Sequence, residues 1–193
     1  MQKRSKIGIQ GFRGSFNDQA CQLYCEDHGI QEPEVVYLYR TEKVLRALDA
    51  GDVDFGLFAL ANSLSGVLME SVQAMGEYLF SVQDVFDMPV TYSLIAKKGA
   101  TLKSITTIMS HPGILAACKG VLATQYPEKR LSTGEGILTD QAAAAAYLSE
   151  PGSPDTVAVL APKICADLYG LSALVPDIGA PKNTTTFVWC KKR

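Results

Sequence analysis

Short apolar runs that break on glycine, serine or asparagine alternate along the chain with longer segments whose apolar residues recur every third or fourth position. A short apolar run bounded by turn residues reads as a buried strand, and a 3.6-residue period reads as the helix that covers it. Lys6–Gln10 is the first such strand, Gly11-Phe12-Arg13-Gly14-Ser15 a glycine loop, and Asn17-Asp18 the cap of a helix with Ala20, Cys21, Leu23 and Tyr24 inward. A strand over Glu34–Tyr39, a helix over Thr41–Ala50 capped by Thr41, a strand over Phe55–Leu60 and a helix over Ser65–Tyr78 follow. Phe80–Phe86 and Val90–Ala96 read as a strand pair.

The second half repeats the pattern. Ile105–Met109 is a strand, Ile114 to about Thr124 a helix with Pro112 in its first turn, and the stretch around Arg130 to Thr133 another strand. Thr139-Asp140-Gln141 heads a helix over Asp140–Ser149, Thr156–Leu160 is a strand and Pro162–Tyr169 a helix, with Glu150-Pro151-Gly152-Ser153-Pro154 an exposed loop. Strands that alternate with helices predict an α/β fold. Two βαβ-type lobes are expected, residues 1–88 plus 176–193 and residues 89–175, with a ligand cleft between them and hinges near Met88 to Ala96 and Pro181 to Trp189.

Composition narrows the function. The chain has 193 residues and a net charge of −2, and its basic residues are scattered apart from Lys191-Lys192-Arg193. Nucleic-acid binding, which needs a contiguous basic face, is not expected. The start Met1-Gln2-Lys3-Arg4-Ser5-Lys6 is basic, but the apolar run after it is too short for a signal peptide, and no span reaches membrane length. The cytoplasm is the expected location. Five cysteines without a tight CxxC pair do not make a disulfide framework, and with His28 and His111 as the two imidazoles no metal is expected.

The polar residues at the strand-to-helix junctions suggest what is bound. Asn62, Ser63 and Ser65 follow the strand at Phe55–Leu60, Gly14 and Ser15 follow the first strand, and Ser110-His111-Pro112-Gly113 follows Ile105–Met109. The N–H groups at a helix start are unpaired and carry the positive end of its dipole, so such junctions suit a small anionic ligand. Asn and Ser are also favoured as plain helix caps. His111 equally suits a helix start bonded to backbone, Arg13 a solvated loop position, Glu70 a dipole complement, and Thr185 and Thr186 ordinary β-branched strand positions.

Five motifs in order carry a family resemblance: Gly11-Phe12-Arg13-Gly14-Ser15-Phe16, Ala61-Asn62-Ser63-Leu64-Ser65-Gly66 with Glu70, Ser110-His111-Pro112, Leu168-Tyr169-Gly170-Leu171, and Asn183-Thr184-Thr185-Thr186-Phe187. Over nearly its whole length the chain resembles the catalytic domain of prephenate dehydratases. The resemblance implies two lobes like those of type II periplasmic binding proteins, a dicarboxylate substrate held in the cleft, no cofactor, and a homodimer. Family members often continue into an ACT regulatory domain that binds phenylalanine, and here a catalytic domain without one is expected. The resemblance further implies conversion of prephenate, or its transaminated relative arogenate, to phenylpyruvate or phenylalanine with loss of carbon dioxide and water. Thr185 stands at the position that assists the departing hydroxyl. Gly14, Ser15, Asn62, Ser63, Ser65, Ser110, His111, Asn183, Thr186 and Phe187 stand at substrate-contacting positions. Two positions depart from the pattern: the family's Glu-Asn-Ser reads Ala61-Asn62-Ser63, and its Thr-Arg-Phe reads Thr185-Thr186-Phe187. A prephenate decarboxylase that does not form the aromatic ring, or a non-catalytic binder of an aromatic-pathway metabolite, are the alternative readings.

Overall fold

The computed structural model describes residues 4–178 and 182–193. Residues 1–3, and Pro181 of the expected second hinge, lie outside them. In chain order the elements are β1 (Lys6–Ile9), α1 (Phe16–Asp27), β2 (Glu34–Tyr37), α2 (Thr41–Ala50), β3 (Phe55–Asn62), β4 (Gly66–Val67), α3 (Met69–Glu77), β5 (Phe80–Pro89), β6 (Tyr92–Ala96), β7 (Thr107–Met109), α4 (Pro112–Ala117), α5 (Lys119–Gln125), β8 (Arg130–Ser132), α6 (Gln141–Leu148), β9 (Val157–Ala161), α7 (Ile164–Leu168), β10 (Ser172–Ile178) and β11 (Thr184–Lys192). They form two compact units, one made of the chain up to Pro89 together with Thr184–Arg193, the other of Val90–Asn183.

The first unit holds a sheet in the order β2-β1-β3-β11-β5, with β4 paired to β3. β1 runs parallel to β2 and β3, whereas β11 runs antiparallel to both of its neighbours. The continuous apolar run in β3 reflects helices on both faces of the sheet. On one face Tyr24 of α1 stacks on Trp189 at 4.3 Å and lies 5.2 Å from Phe86. On the other, Val44, Leu45 and Leu48 of α2 and Ala74 of α3 pack against Phe58, Val188 and Cys190. Gly56 allows that approach: a Cβ there would lie 3.0 Å from both Cys190 Sγ and Val44 Cγ1. Burying these side chains contributes about 25 cal/mol per Å² of apolar surface removed from water.

Local departures from the sequence expectations have identifiable causes. Ser15, not Asn17-Asp18, caps α1, and Leu23 is 42% exposed because it falls on the outer side of that helix. Thr41 is the first residue of α2 rather than its cap; its hydroxyl lies 2.8 Å from Ser71 Oγ on α3, while Arg40 takes the cap position without a side-chain bond. The expected helix over Ser65–Tyr78 gives up its first turn to a hairpin that returns along β3.

The second sheet has the order β10-β6-β9-β7-β8, with β7, β8 and β9 parallel and β6 antiparallel to β9 and β10. The four alanines at 142–145 let α6 be buried all round, and Asp140 caps it by accepting from the N–H groups of Ala142 and Ala143, both at 2.9 Å. The single helix expected from Ile114 to Thr124 is two, because Cys118 leaves helical geometry at φ −93°, ψ 2°. β10 has no counterpart among the expected strands: its alternation is broken by Pro176 and by Asp177 at φ 54°, and its pairing with β6 shifts register twice.

Candidate active site

The hairpin after β3 gathers the first group of expected site residues. Ala61 and Asn62 pair with Val67 and Gly66, so Ser63-Leu64-Ser65 forms a three-residue loop closed by Gly66 at φ 79°. Three-residue hairpins of this kind place glycine in the left-handed region. Asn62 dictates the turn: its Oδ1 accepts from Leu64 N–H at 3.0 Å and from Ser65 N–H at 3.3 Å, a local bonding pattern that competes with helix. Asn62, Ser63 and Ser65 therefore do not sit at a helix N-terminus, since α3 begins at Met69 behind Leu68. Asn62 and Ser63 bind β11 instead. Asn62 Nδ2 donates to Thr184 O and to Thr185 Oγ1, both at 3.0 Å. Ser63 N–H donates to Thr184 O at 2.9 Å, and Ser63 Oγ accepts from Thr184 N–H at 3.0 Å.

Thr185 and Thr186 face opposite sides of the sheet, as successive strand residues must. Thr185 is 7% exposed and lies between Asn62 and Met88 in the pairing. Thr186 lies between Ala61 and Asp87, and its hydroxyl donates to Asp87 Oδ1 at 2.6 Å. The two positions that depart from the family pattern are thus direct cross-strand neighbours. Phe187 is fully buried with its ring centroid 5.7 Å from that of Phe86.

The glycine loop is held by a residue that sequence reasoning treated only as a cap. Asp18 is 2% exposed, and its carboxylate accepts from Gly14 N–H at 2.7 Å and from Tyr37 O–H at 3.1 Å. Ser15 Oγ accepts in return from Asp18 N–H at 3.3 Å. The acid thus reaches one residue past the cap, while the Ser15 N–H donates to Phe12 O at 3.0 Å, and a serine followed three residues later by an acid was the sequence signal. Burial first, and then the Asp18 charge, push the Tyr37 phenol well above its ordinary pKa. Phe12 stacks on Tyr39 at 5.6 Å, so the loop is fastened at two points, and Arg13 stands exposed between them.

In the second unit Ser110 is fully buried: its hydroxyl donates to Leu160 O at 2.8 Å and its N–H to Ser132 O at 3.1 Å, which ties β7 to its neighbours. His111 is the N-cap of α4, with Nδ1 accepting from Gly113 N–H at 3.1 Å. Asn183 is 3% exposed and donates through Nδ2 to Tyr92 Oη at 3.3 Å. Burial raises the Tyr92 phenol above its ordinary pKa. The expected site residues thus divide between the units: Gly14, Ser15, Asn62, Ser63, Ser65, Thr185, Thr186 and Phe187 in the first, Ser110, His111 and Asn183 in the second. Among the described residues no three His, Cys, Asp or Glu side chains gather as metal ligands, and no helix is long and apolar enough to cross a membrane.

The profile of the family described as "Prephenate dehydratase" matches residues 7–193. The chain belongs to the prephenate dehydratase family. It is 24% identical over 183 residues to arogenate dehydratase 2 of Petunia hybrida, an alignment that covers 95% of this chain and 43% of the relative. It spans less than half the length of the curated relatives it matches. Prephenate dehydratase from Arthrobacter aurescens, solved in complex with L-Phe, has the same fold at a TM-score of 0.83 and 22% identity, over 97% of this chain and 60% of that one. A nutrient-binding protein from Burkholderia cenocepacia, solved bound to methionine, shares the architecture at a TM-score of 0.53 and 14% identity, over 97% and 84% of the two chains. The mixed α/β fold with two sheets is therefore common to this dehydratase family and to periplasmic-binding-protein-like folds.

Proposed function

We propose that the protein is a dehydratase acting on prephenate or arogenate, with Thr185 as its catalytic residue. The observation that carries this reading is the buried contact between Asn62 and Thr185, which joins the hairpin motif to the closing Thr-containing motif of a prephenate dehydratase family member. In the reaction the bond between the ring carbon and its carboxylate breaks, and carbon dioxide leaves. The electron pair moves into the ring. The bond to the ring hydroxyl oxygen opposite breaks, and that oxygen departs as hydroxide and takes up a proton to become water. A donor aimed at the departing oxygen stabilises the charge that develops there, and such a group contributes about a hundredfold or more in rate. The Thr185 hydroxyl is that donor in this reading. Chemistry of this kind needs orientation and hydrogen bonding rather than a strong nucleophile.

The second reading is decarboxylation without aromatisation, favoured by the row Asp87–Thr186–Ala61. That row holds one carboxylate and no guanidinium where the family pattern has a Glu and an Arg. Incubation of purified protein with prephenate and, separately, arogenate, followed by mass and ultraviolet analysis, separates the readings. Phenylpyruvate or phenylalanine is the expected product. A non-aromatic decarboxylated acid would establish the second reading, and unchanged substrate in both reactions would refute both.

A further inference from the structure

We infer that Asn62 is a positioning residue that fixes the direction of the Thr185 hydroxyl, an inference that rests on the role given to Thr185 above. The backbone determines which end of the Asn62 amide is which. Its one end meets the N–H groups of Leu64 and Ser65, which can only donate, so that end is the carbonyl oxygen. The other end meets the Thr184 carbonyl, which can only accept, so it is the NH₂ group. With the amide fixed in this way, the 3.0 Å contact to Thr185 has one polarity: Asn62 donates and Thr185 Oγ1 accepts.

A threonine hydroxyl has one proton to give. Three buried hydroxyls of this protein spend theirs on backbone carbonyls: Ser71 on Ala59 O at 2.6 Å, Ser110 on Leu160 O at 2.8 Å and Ser153 on Leu148 O at 2.8 Å. Among the described residues the Thr185 hydroxyl has no such acceptor, and its lone pair is engaged by Asn62. With Asn62 on its lone pair, the Thr185 proton is the one left to meet a ligand oxygen in this inference. Asn62, 8% exposed and bonded at both ends to the chain, acts through Thr185 rather than on the substrate.

Asn62→Asp is the discriminating variant. Ionised, the introduced carboxylate turns an acceptor toward Thr185, captures the hydroxyl proton and lowers kcat by about a hundredfold, the effect of losing one such donor, while KM stays within about twofold. Protonated, the carboxyl donates again, so kcat of the variant should climb as pH falls through the titration of the introduced group, after subtraction of uncatalysed conversion at each pH. A pH profile parallel to that of the parent overturns the inference. If this variant does not fold, a cycle of Asn62→Ala and Thr185→Val decides: a residue acting only through Thr185 costs nothing further once the hydroxyl is gone, and additive losses overturn the proposal. Carboxyl ¹³C titration of the Asn62→Asp variant tests the polarity without turnover. The introduced carboxyl should titrate lower with Thr185 present than in the Thr185→Val background, and an equal value overturns the inference. A parent inactive on both substrates, with that titration difference intact, refutes the proposed activity and not the polarity.

Discussion

Replacing Asp18 by alanine should unfold the first unit at markedly lower denaturant, and the structure sets the size of the effect. The carboxylate is 2% exposed and accepts two bonds, from Gly14 N–H at 2.7 Å and Tyr37 O–H at 3.1 Å. Hydrogen bonds to a charged group contribute about 1.5–3 kcal/mol each, and their loss strands a buried donor with no access to water. Asp18→Ala should therefore cost about 3–5 kcal/mol. Tyr37→Phe removes one of the two bonds and leaves the ring in place, for about 1–2 kcal/mol. Asp18→Asn retains an acceptor for Gly14 and lets the Tyr37 hydroxyl turn to accept from the new amide, so it should cost only about 1 kcal/mol. Trp189 is the single tryptophan and is stacked on Tyr24 of α1, so its fluorescence reports on this unit. With a urea slope of about 1–3 kcal/mol per M, a loss of about 4 kcal/mol moves the midpoint by more than about 1 M. An Asp18→Ala midpoint within about 0.3 M of the parent, or an Asn variant as damaging as the Ala variant, would refute the argument.

Two further outcomes follow from particular contacts. Ala61→Glu alone should destabilise the first unit, because it brings a second carboxylate into the row that holds Asp87; adding Thr186→Arg directly opposite should recover the loss, with a coupling of about 0.2–1 kcal/mol in Trp189-monitored unfolding. Strict additivity of the two changes would refute the register of β3 with β11. Burial pushes the Cys118 thiol up to about 11 and the Cys190 thiol up to about 12, so a thiol reagent at about pH 8 should label the native protein far more slowly than the unfolded chain. Because both thiols hold their protons longer when folded, that stabilisation is complete below the unfolded value near 9 and fades as pH rises toward 12; a urea midpoint that increases from about pH 8 to about pH 10 would contradict it.

Strands and helices with a clean period were legible in the sequence, and polar turns were not. β1, β3, β9 and α2 carry uninterrupted apolar runs or a regular 3.6-residue stripe, and the structure places them close to where the pattern does. The hairpin at residues 63–67 was hidden because Asn, Ser and Gly favour a helix cap and a tight turn alike. What decides between them is Asn62, whose amide is satisfied by Thr184 and Thr185 from β11, a partner that no local window contains. Asp18 is the same case in milder form: its carboxylate reads as an ordinary first-turn acid until Tyr37 arrives from β2. The apolar pattern could not reveal β10, since Pro176 and Asp177 interrupt it.

The place of β11 in its sheet has a consequence for how the protein comes to exist. β11 lies between β3 and β5, both of which precede the whole of the second unit in sequence. A chain emerging from the ribosome therefore presents Val90–Asn183 entire, free to form its own sheet, while the earlier strands wait with an open slot and two unpaired backbone edges. Pairings of such large sequence separation form slowly, so filling the slot is the late event of folding. Asn62 meets Thr185 only when that strand is inserted. The nascent protein thus carries most of its architecture before it carries any of the proposed chemistry, and a chain interrupted ahead of Thr184 would be a structured but chemically silent molecule with a sticky gap.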